Sequence, residues 1–234
     1  MNDLPIGIFD SGVGGLSVLR RCEEVLPNEK FVYLFDRSHA PYGNKSDGKI
    51  KECALGCVRK LQKLNCKAIV IACNTASATA MATLRRKVKV PLIGVYPPVR
   101  QAVEYGGKGK TLVLCTAATA RQKNFMFACS KAGKDRVIVA PQRLLAVEIE
   151  KNFERIEAVR PYLYSVLERY PSVSSVALGC THYYYVKPFI EQFYCGKVKI
   201  FSPETGAANR LSRALAARKL ESGARSGSVK IIFT

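Results

Sequence analysis

No apolar run in this chain approaches the roughly 18 residues that a membrane span needs. The start, Met1-Asn2-Asp3-Leu4-Pro5, carries neither a charged n-region nor an apolar segment of the signal type. The expectation is a soluble cytoplasmic protein without a membrane partner. Cys-x-x-Cys is also missing, and His39 and His182 are the only histidines. The nine cysteines are odd in number and match no compact secreted framework, so reduced thiols are expected. Cys53 and Cys57 can share a helix face, but recognised zinc spacings are absent, and no metal is expected. Acidic residues are scarce, 18 against 37 basic ones, for a net charge of +19. The excess is spread along the chain and enriched only in the tail. Such a field attracts anionic small molecules and favours weak nucleic-acid contact. No nucleic-acid motif accompanies it, so a solvated basic surface carries more weight than specific binding.

What is present centres on Ala68-Ile69-Val70-Ile71-Ala72-Cys73-Asn74-Thr75-Ala76-Ser77. A short apolar run ends in a cysteine, and a polar pair opens a helix-forming segment, which predicts a buried strand followed by a helix. The segment Val176-Ala177-Leu178-Gly179-Cys180-Thr181-His182 repeats the arrangement later in the chain. Thiols at the carboxyl edges of parallel sheets occupy the place where ligands of open α/β folds bind. Two such cysteines in different halves suggest one site with facing thiols.

Strand and helix alternate along the whole chain, which predicts an α/β protein with mainly parallel sheets. Strands are expected at 4–10, 30–36, 68–73, 91–95, 111–115, 136–140, 176–180 and 197–201, with strand-end residues Asp10, Asp36, Cys73, Thr116 and Cys180. A weaker strand is expected at 228–234. Two similar domains are expected, 1–95 completed by 206–234 and 96–205, with the active site in the cleft between them. Ser11-Gly12-Val13-Gly14-Gly15 follows the first strand. Ser17 stands where the third glycine of a dinucleotide loop belongs and no Gly-Lys-Ser/Thr follows, so a cofactor loop is a weak reading. A tight turn, or glycines bringing backbone N–H groups to a carboxylate, fits as well.

A small substrate between Cys73 and Cys180 could lose a proton to one thiol and gain one from the other on the opposite face. That is acid–base inversion needing neither metal nor nucleotide. Each thiol is expected near a helix N-terminus, which would lower its pKa. A cysteine hydrolase would leave Cys73 without a role, and a redox pair lacks its usual spacing.

Ile8-Phe9-Asp10-Ser11-Gly12-Val13-Gly14-Gly15-Leu16, Pro41-Tyr42-Gly43, Ala72-Cys73-Asn74-Thr75-Ala76-Ser77 and Gly179-Cys180-Thr181-His182-Tyr183 lie in an order and spacing that resemble the glutamate racemases of the aspartate/glutamate racemase family. The resemblance spans about residues 6 to 220. It implies a cofactor-independent isomerase that supplies D-glutamate for peptidoglycan. Cys73 would work on the D-isomer and Cys180 on the L-isomer, with Asp10 and His182 assisting proton transfer. Asp10 and Ser11 would hold the amine region, and Tyr42 and Gly43 the side-chain carboxylate through backbone donors. Asn74, Thr75, Thr119, Thr181 and His182 would hold the remaining polar groups. Glu148 is a loosely matched auxiliary carboxylate. The resemblance also implies a homodimer. Its alternatives are a racemase of aspartate or another acidic amino acid, and a gyrase- or DNA-binding role through the basic surface. Phe35, Pro97, Cys115 and Ser202-Pro203 depart from the family pattern.

Overall fold

The first strand, Ile6-Gly7-Ile8-Phe9-Asp10, is buried along its whole length, as an inner strand of a sheet covered on both faces must be. In the computed structural model, which describes residues 2–234, the strands are β1 (Ile6–Asp10), β2 (Lys30–Phe35), β3 (Ala68–Ile71), β4 (Leu92–Gly94), β5 (Thr111–Thr116), β6 (Val137–Gln142), β7 (Ser175–Gly179), β8 (Lys199–Phe201) and β9 (Ser228–Phe233). They form two sheets, ordered β4-β3-β1-β2-β9 and β6-β5-β7-β8, and every pairing is parallel. The α/β reading and its parallel sheets hold.

The helices are α1 (Leu16–Val25), α2 (Asp47–Lys63), α3 (Asn74–Arg85), α4 (Val99–Gly106), α5 (Ala117–Ala120), α6 (Lys123–Gly133), α7 (Leu145–Lys151), α8 (Arg160–Leu167), α9 (Lys187–Phe193) and α10 (Glu204–Ala217). The helix-forming character of 119–131 and 156–170 in the sequence leads one to expect a continuous helix over each, and both are broken. The segment 119–131 becomes α5 and α6 because Gln122 is extended, its side chain donating to Asp47 instead. The segment 156–170 begins as a 3-10 stretch, Phe153–Val159, with Arg155 outside helical φ/ψ. No described helix is long and apolar enough to cross a membrane.

Alternation along the strands builds a core on each face of each sheet. Ile6 and Ile8 pack with Val18, Leu19 and Cys22 of α1 and with Ala207, Leu211 and Leu215 of α10. Phe9 faces the other way, into the α2 and α3 layer. In the second sheet Leu112, Leu114, Val176 and Leu178 face α7, α8 and α9, while Val113, Cys115 and Ala177 face α4 and α6. The carboxyl-terminal helix α10 and strand β9 therefore complete the first sheet's half of the molecule. The chain crosses between halves at Tyr96-Pro97-Pro98 and returns at Ser202-Pro203; both crossings line one cavity of about 410 Å³. Two of the departures from the family pattern, Pro97 and Pro203, thus stand at the crossings, where a fixed φ limits how the backbone can turn.

Candidate active site

In the first sheet β1 connects outward to β2 on one side while β3 lies on the other; in the second, β5 and β7 are the corresponding pair. At such a reversal adjacent loops leave in opposite directions and open a crevice at the strands' carboxyl ends. Asp10 and Cys73 stand at the first crevice, and Thr116 and Cys180 at the second.

Cys73 is the N-cap of α3, its Sγ accepting from the Ala76 N–H at 3.5 Å. Ser11 Oγ lies 3.4 Å from Cys73 Sγ and 3.4 Å from Asp10 Oδ1, bridging thiol and carboxylate. Asp10 also accepts from the Gly12 N–H at 3.0 Å and, from the other half, from Thr181 Oγ1 at 3.0 Å. Burial pushes the Asp10 carboxyl up to about 6, against the opposing pull of His182 and the Thr181 hydrogen bond. Burial also pushes the Cys73 thiol up, reinforced by the Asp10 charge, and the bonds from Ser11 and Ala76 only partly offset it. The expected lowering by a helix N-terminus is therefore overruled: desolvation of a fully buried thiolate exceeds what one helix end returns. At rest Cys73 holds its proton.

Cys180 differs. The residues after it form a 3-10 stretch, Thr181–Val186, not the α-helix expected there. Its Sγ lies 3.7 Å from His182 Nδ1, and His182 Nε2 donates to Glu150 Oε2 at 2.5 Å. The carboxylate thereby fixes the orientation of the ring, with Nδ1 turned toward the Cys180 sulfur. Burial disfavours a charged His182, but the hydrogen bonds to Cys180 and Glu150 and the Asp10 charge outweigh it, and its pKa is raised well above the usual value. The ring therefore favours its charged form, with Nδ1 directed at the Cys180 sulfur. Each thiol thus leads through one side chain to a carboxylate: Cys73 through Ser11 to Asp10, and Cys180 through His182 to Glu150.

The resemblance points to Glu148 as the auxiliary carboxylate, but the structure puts Glu150 against His182. Glu148 interacts with Asn152 within its own helix, two positions short of the face that meets His182. Glu150 Oε2 also accepts from the Val13 N–H at 3.1 Å. The glycine loop is accordingly a docking joint between halves, bringing a backbone N–H to a carboxylate of the protein itself. A Cβ on Gly12 would stand 2.4 Å from Glu150 Oε2, and one on Gly14 2.5 Å from Thr181 Oγ1 and 2.6 Å from the His182 nitrogen.

Three hydroxyls meet across the cleft: Thr75 Oγ1 lies 2.9 Å from Thr116 Oγ1, and Thr116 lies 3.0 Å from Thr119. Thr116 belongs with the expected pair, though sequence marked it only as a strand end. Gly43 sits against this cluster, a Cβ there falling 3.1 Å from Thr116, and its carbonyl accepts from the Ala118 N–H at 3.0 Å. The Tyr42 hydroxyl points away, donating to Asp36. Asn74 Nδ2 donates to the Val95 carbonyl at 3.2 Å, while its Oδ1 is buried without a partner among the described residues. An orphaned acceptor in a buried site is suited to a ligand's N–H group. Cys115 turns to the opposite face of β5 and packs with Val113, away from the threonines.

Cys73 and Cys180 are only 5% and 7% exposed, so a substrate must enter by parting of the loops. Beside Val13 and Glu150 lies a cavity of about 530 Å³ whose charged lining is mixed, Arg37, Lys151 and Arg155 against Glu150 and Glu154.

The profile of the Asp/Glu/Hydantoin racemase family matches residues 6–211. The chain is 39% identical to the glutamate racemase of Clostridium perfringens over 226 residues, covering 95% of this chain and 87% of that one. It is 39% identical to that of Clostridium novyi over 234 residues, covering 97% and 90%. Among solved structures, glutamate racemase isoform RacE1 of Bacillus anthracis superposes with a TM-score of 0.90 at 28% identity, over 100% of this chain and 90% of that one. The Francisella tularensis glutamate racemase, solved in complex with D-glutamate, superposes with a TM-score of 0.80 at 29% identity, over 100% and 89%. Matched along nearly its whole length in both sequence and fold, the chain belongs to the Asp/Glu/Hydantoin racemase family.

Proposed function

We propose that this protein interconverts L- and D-glutamate by two-base proton transfer between Cys73 and Cys180, without a cofactor, and so supplies D-glutamate for peptidoglycan. The observation that carries the reading is the pair of thiols at the two strand-end crevices, each backed by its own relay to a carboxylate. Cys180, relieved of its proton by His182, removes the α-hydrogen of L-glutamate, and Cys73 donates its proton to the opposite face. The reverse reaction runs through Ser11 and Asp10. The α-hydrogen is weakly acidic, so fixed donors in a water-poor site must stabilise the developing negative charge. The threonine hydroxyls and the backbone at Gly43 suit the substrate carboxylates, and Asn74 Oδ1 and Asp10 suit its ammonium group. The protein would act in the cytoplasm, as a homodimer. Its cleft lies between 1–95 with 206–234 and 96–205.

Incubation with L-glutamate and, separately, D-glutamate in D₂O tests the reading. Inversion from both directions with solvent deuterium at the α-carbon is expected. Absence of both inversion and exchange in folded, reduced protein would overturn it, and parallel runs with aspartate would show whether another acidic amino acid is the substrate.

The Glu150 contact predicts a pH effect of definite sign. Glu150→Gln removes the anion that helps raise the His182 pKa, so the imidazolium is lost at lower pH. The alkaline limb of kcat/KM for D-glutamate, the direction in which Cys180 must be the donor with the proton that His182 holds, should move to lower pH, with kcat reduced about tenfold. An unmoved limb would show that Glu150 does not set the His182 charge.

A further inference from the structure

Away from the thiols, three donor side chains from separate segments converge at the outer end of β2. Asp36 follows the strand and is fully buried; His39 closes the 3-10 turn Arg37–His39; Cys53 lies on the inner face of α2. Their ligand atoms all lie within 4.8 Å of one another. Asp36 Oδ1 accepts from His39 Nδ1 at 2.8 Å and from Thr234 Oγ1 at 2.6 Å, and Oδ2 accepts from the Tyr42 hydroxyl. Asp36, His39, Cys53 and Cys57 also border a cavity of about 320 Å³.

We propose that Asp36 Oδ1, His39 Nδ1 and Cys53 Sγ form a site for a divalent transition metal of the zinc class, with solvent in the fourth position. A thiolate, an imidazole and a carboxylate together suit zinc, whereas magnesium and calcium take oxygen ligands. Bond lengths of about 2.0 to 2.3 Å in a tetrahedral site place donors roughly 3.3 to 3.7 Å apart. The His39–Asp36 contact must therefore widen by about half an ångström. The His39 side chain, 41% exposed, has the freedom to do so, while the buried Asp36 stays in place. Binding releases the Cys53 thiol proton to solvent and leaves His39 neutral with its proton on Nε2, so the two anionic ligands, thiolate and carboxylate, balance the metal's charge. Such an ion would tie α2 to the segment leading into Tyr42-Gly43, whose Tyr42 hydroxyl shares the Asp36 carboxylate. The site stands independently of the racemase reading.

The test uses the full chain carrying Cys73→Ser and Cys180→Ser, so that the cleft thiols bind no metal, titrated with Co²⁺ under reducing conditions. One equivalent should bind with tetrahedral visible absorption and a thiolate-to-cobalt charge-transfer band, both displaced by Zn²⁺. Adding Cys53→Ser should abolish the charge-transfer band. Adding His39→Ala, at a half-exposed position, should weaken binding by about tenfold or more. Adding Cys57→Ser should change neither. Metal-free melting curves confirm that each variant is folded. A band that survives Cys53→Ser, a band lost with Cys57→Ser instead, or no saturable binding at micromolar protein would overturn the assignment.

Discussion

Replacing either Cys73 or Cys180 by serine should lower racemisation about 10²- to 10⁴-fold, the range spanned by a positioned proton-transfer group. A serine hydroxyl keeps the shape of the thiol but is a much weaker acid, so neither relay can deliver a usable base at that position. Loss must appear in both directions, because the group that removes the proton from one isomer returns it to form that isomer. Asp10 and Glu150 remain in place in both variants, so the loss reports on the thiols. Steady-state rates with L- and D-glutamate, taken beside circular dichroism to confirm the fold, check this. Wild-type-like turnover by either variant would sink the two-thiol assignment.

Gly14→Ala should reduce kcat/KM about 10²-fold, the scale associated with a 1 Å misplacement of reacting groups. The new methyl would stand 2.6 Å from the His182 backbone nitrogen and 2.5 Å from Thr181 Oγ1. Backbone cannot yield as a long side chain can, so the loop carrying Cys180 must move away from the loop carrying Asp10 and Ser11. Each sheet keeps its own cores, and secondary structure should be unchanged. Gly56→Ala is the matching control: nothing lies within 4 Å of a Cβ there, and in the interior of α2 the change should stabilise by about 0.5 to 1 kcal/mol. Equal activity of Gly14→Ala and the wild type would show that close docking of the two loops is not required.

The elements that sequence located well are those whose signal is local. Buried β-branched runs such as Ala68–Ile71, and the start of a helix directly after Cys73, are read within a few residues of chain, although the cap is Cys73 itself rather than the Asn-Thr pair. The threonine cluster is half legible: Thr75 lies within a recognised motif and Thr119 is implied by the family resemblance, whereas Thr116 joins them only because β5 ends opposite α3. Glu150 was missed for a similar reason. Nothing within α7 distinguishes it from Glu148; the choice depends on which face of the helix meets His182 and the Val13 N–H. The Asp36, His39 and Cys53 cluster escaped because its spacing in the chain matches no familiar ligand pattern, and strand, turn and helix must pack before the donors meet.

By itself, then, the sequence determined the parallel α/β class, the strand-end positions of both thiols and the family, since periodicity, caps and motifs are properties of neighbouring residues. Tertiary structure alone decided the charge states and the partners. A helix N-terminus suggested an acidic Cys73 thiol, but complete burial raised its pKa instead. Desolvation depends on every atom that excludes water from the group, and those atoms come from both halves of the chain.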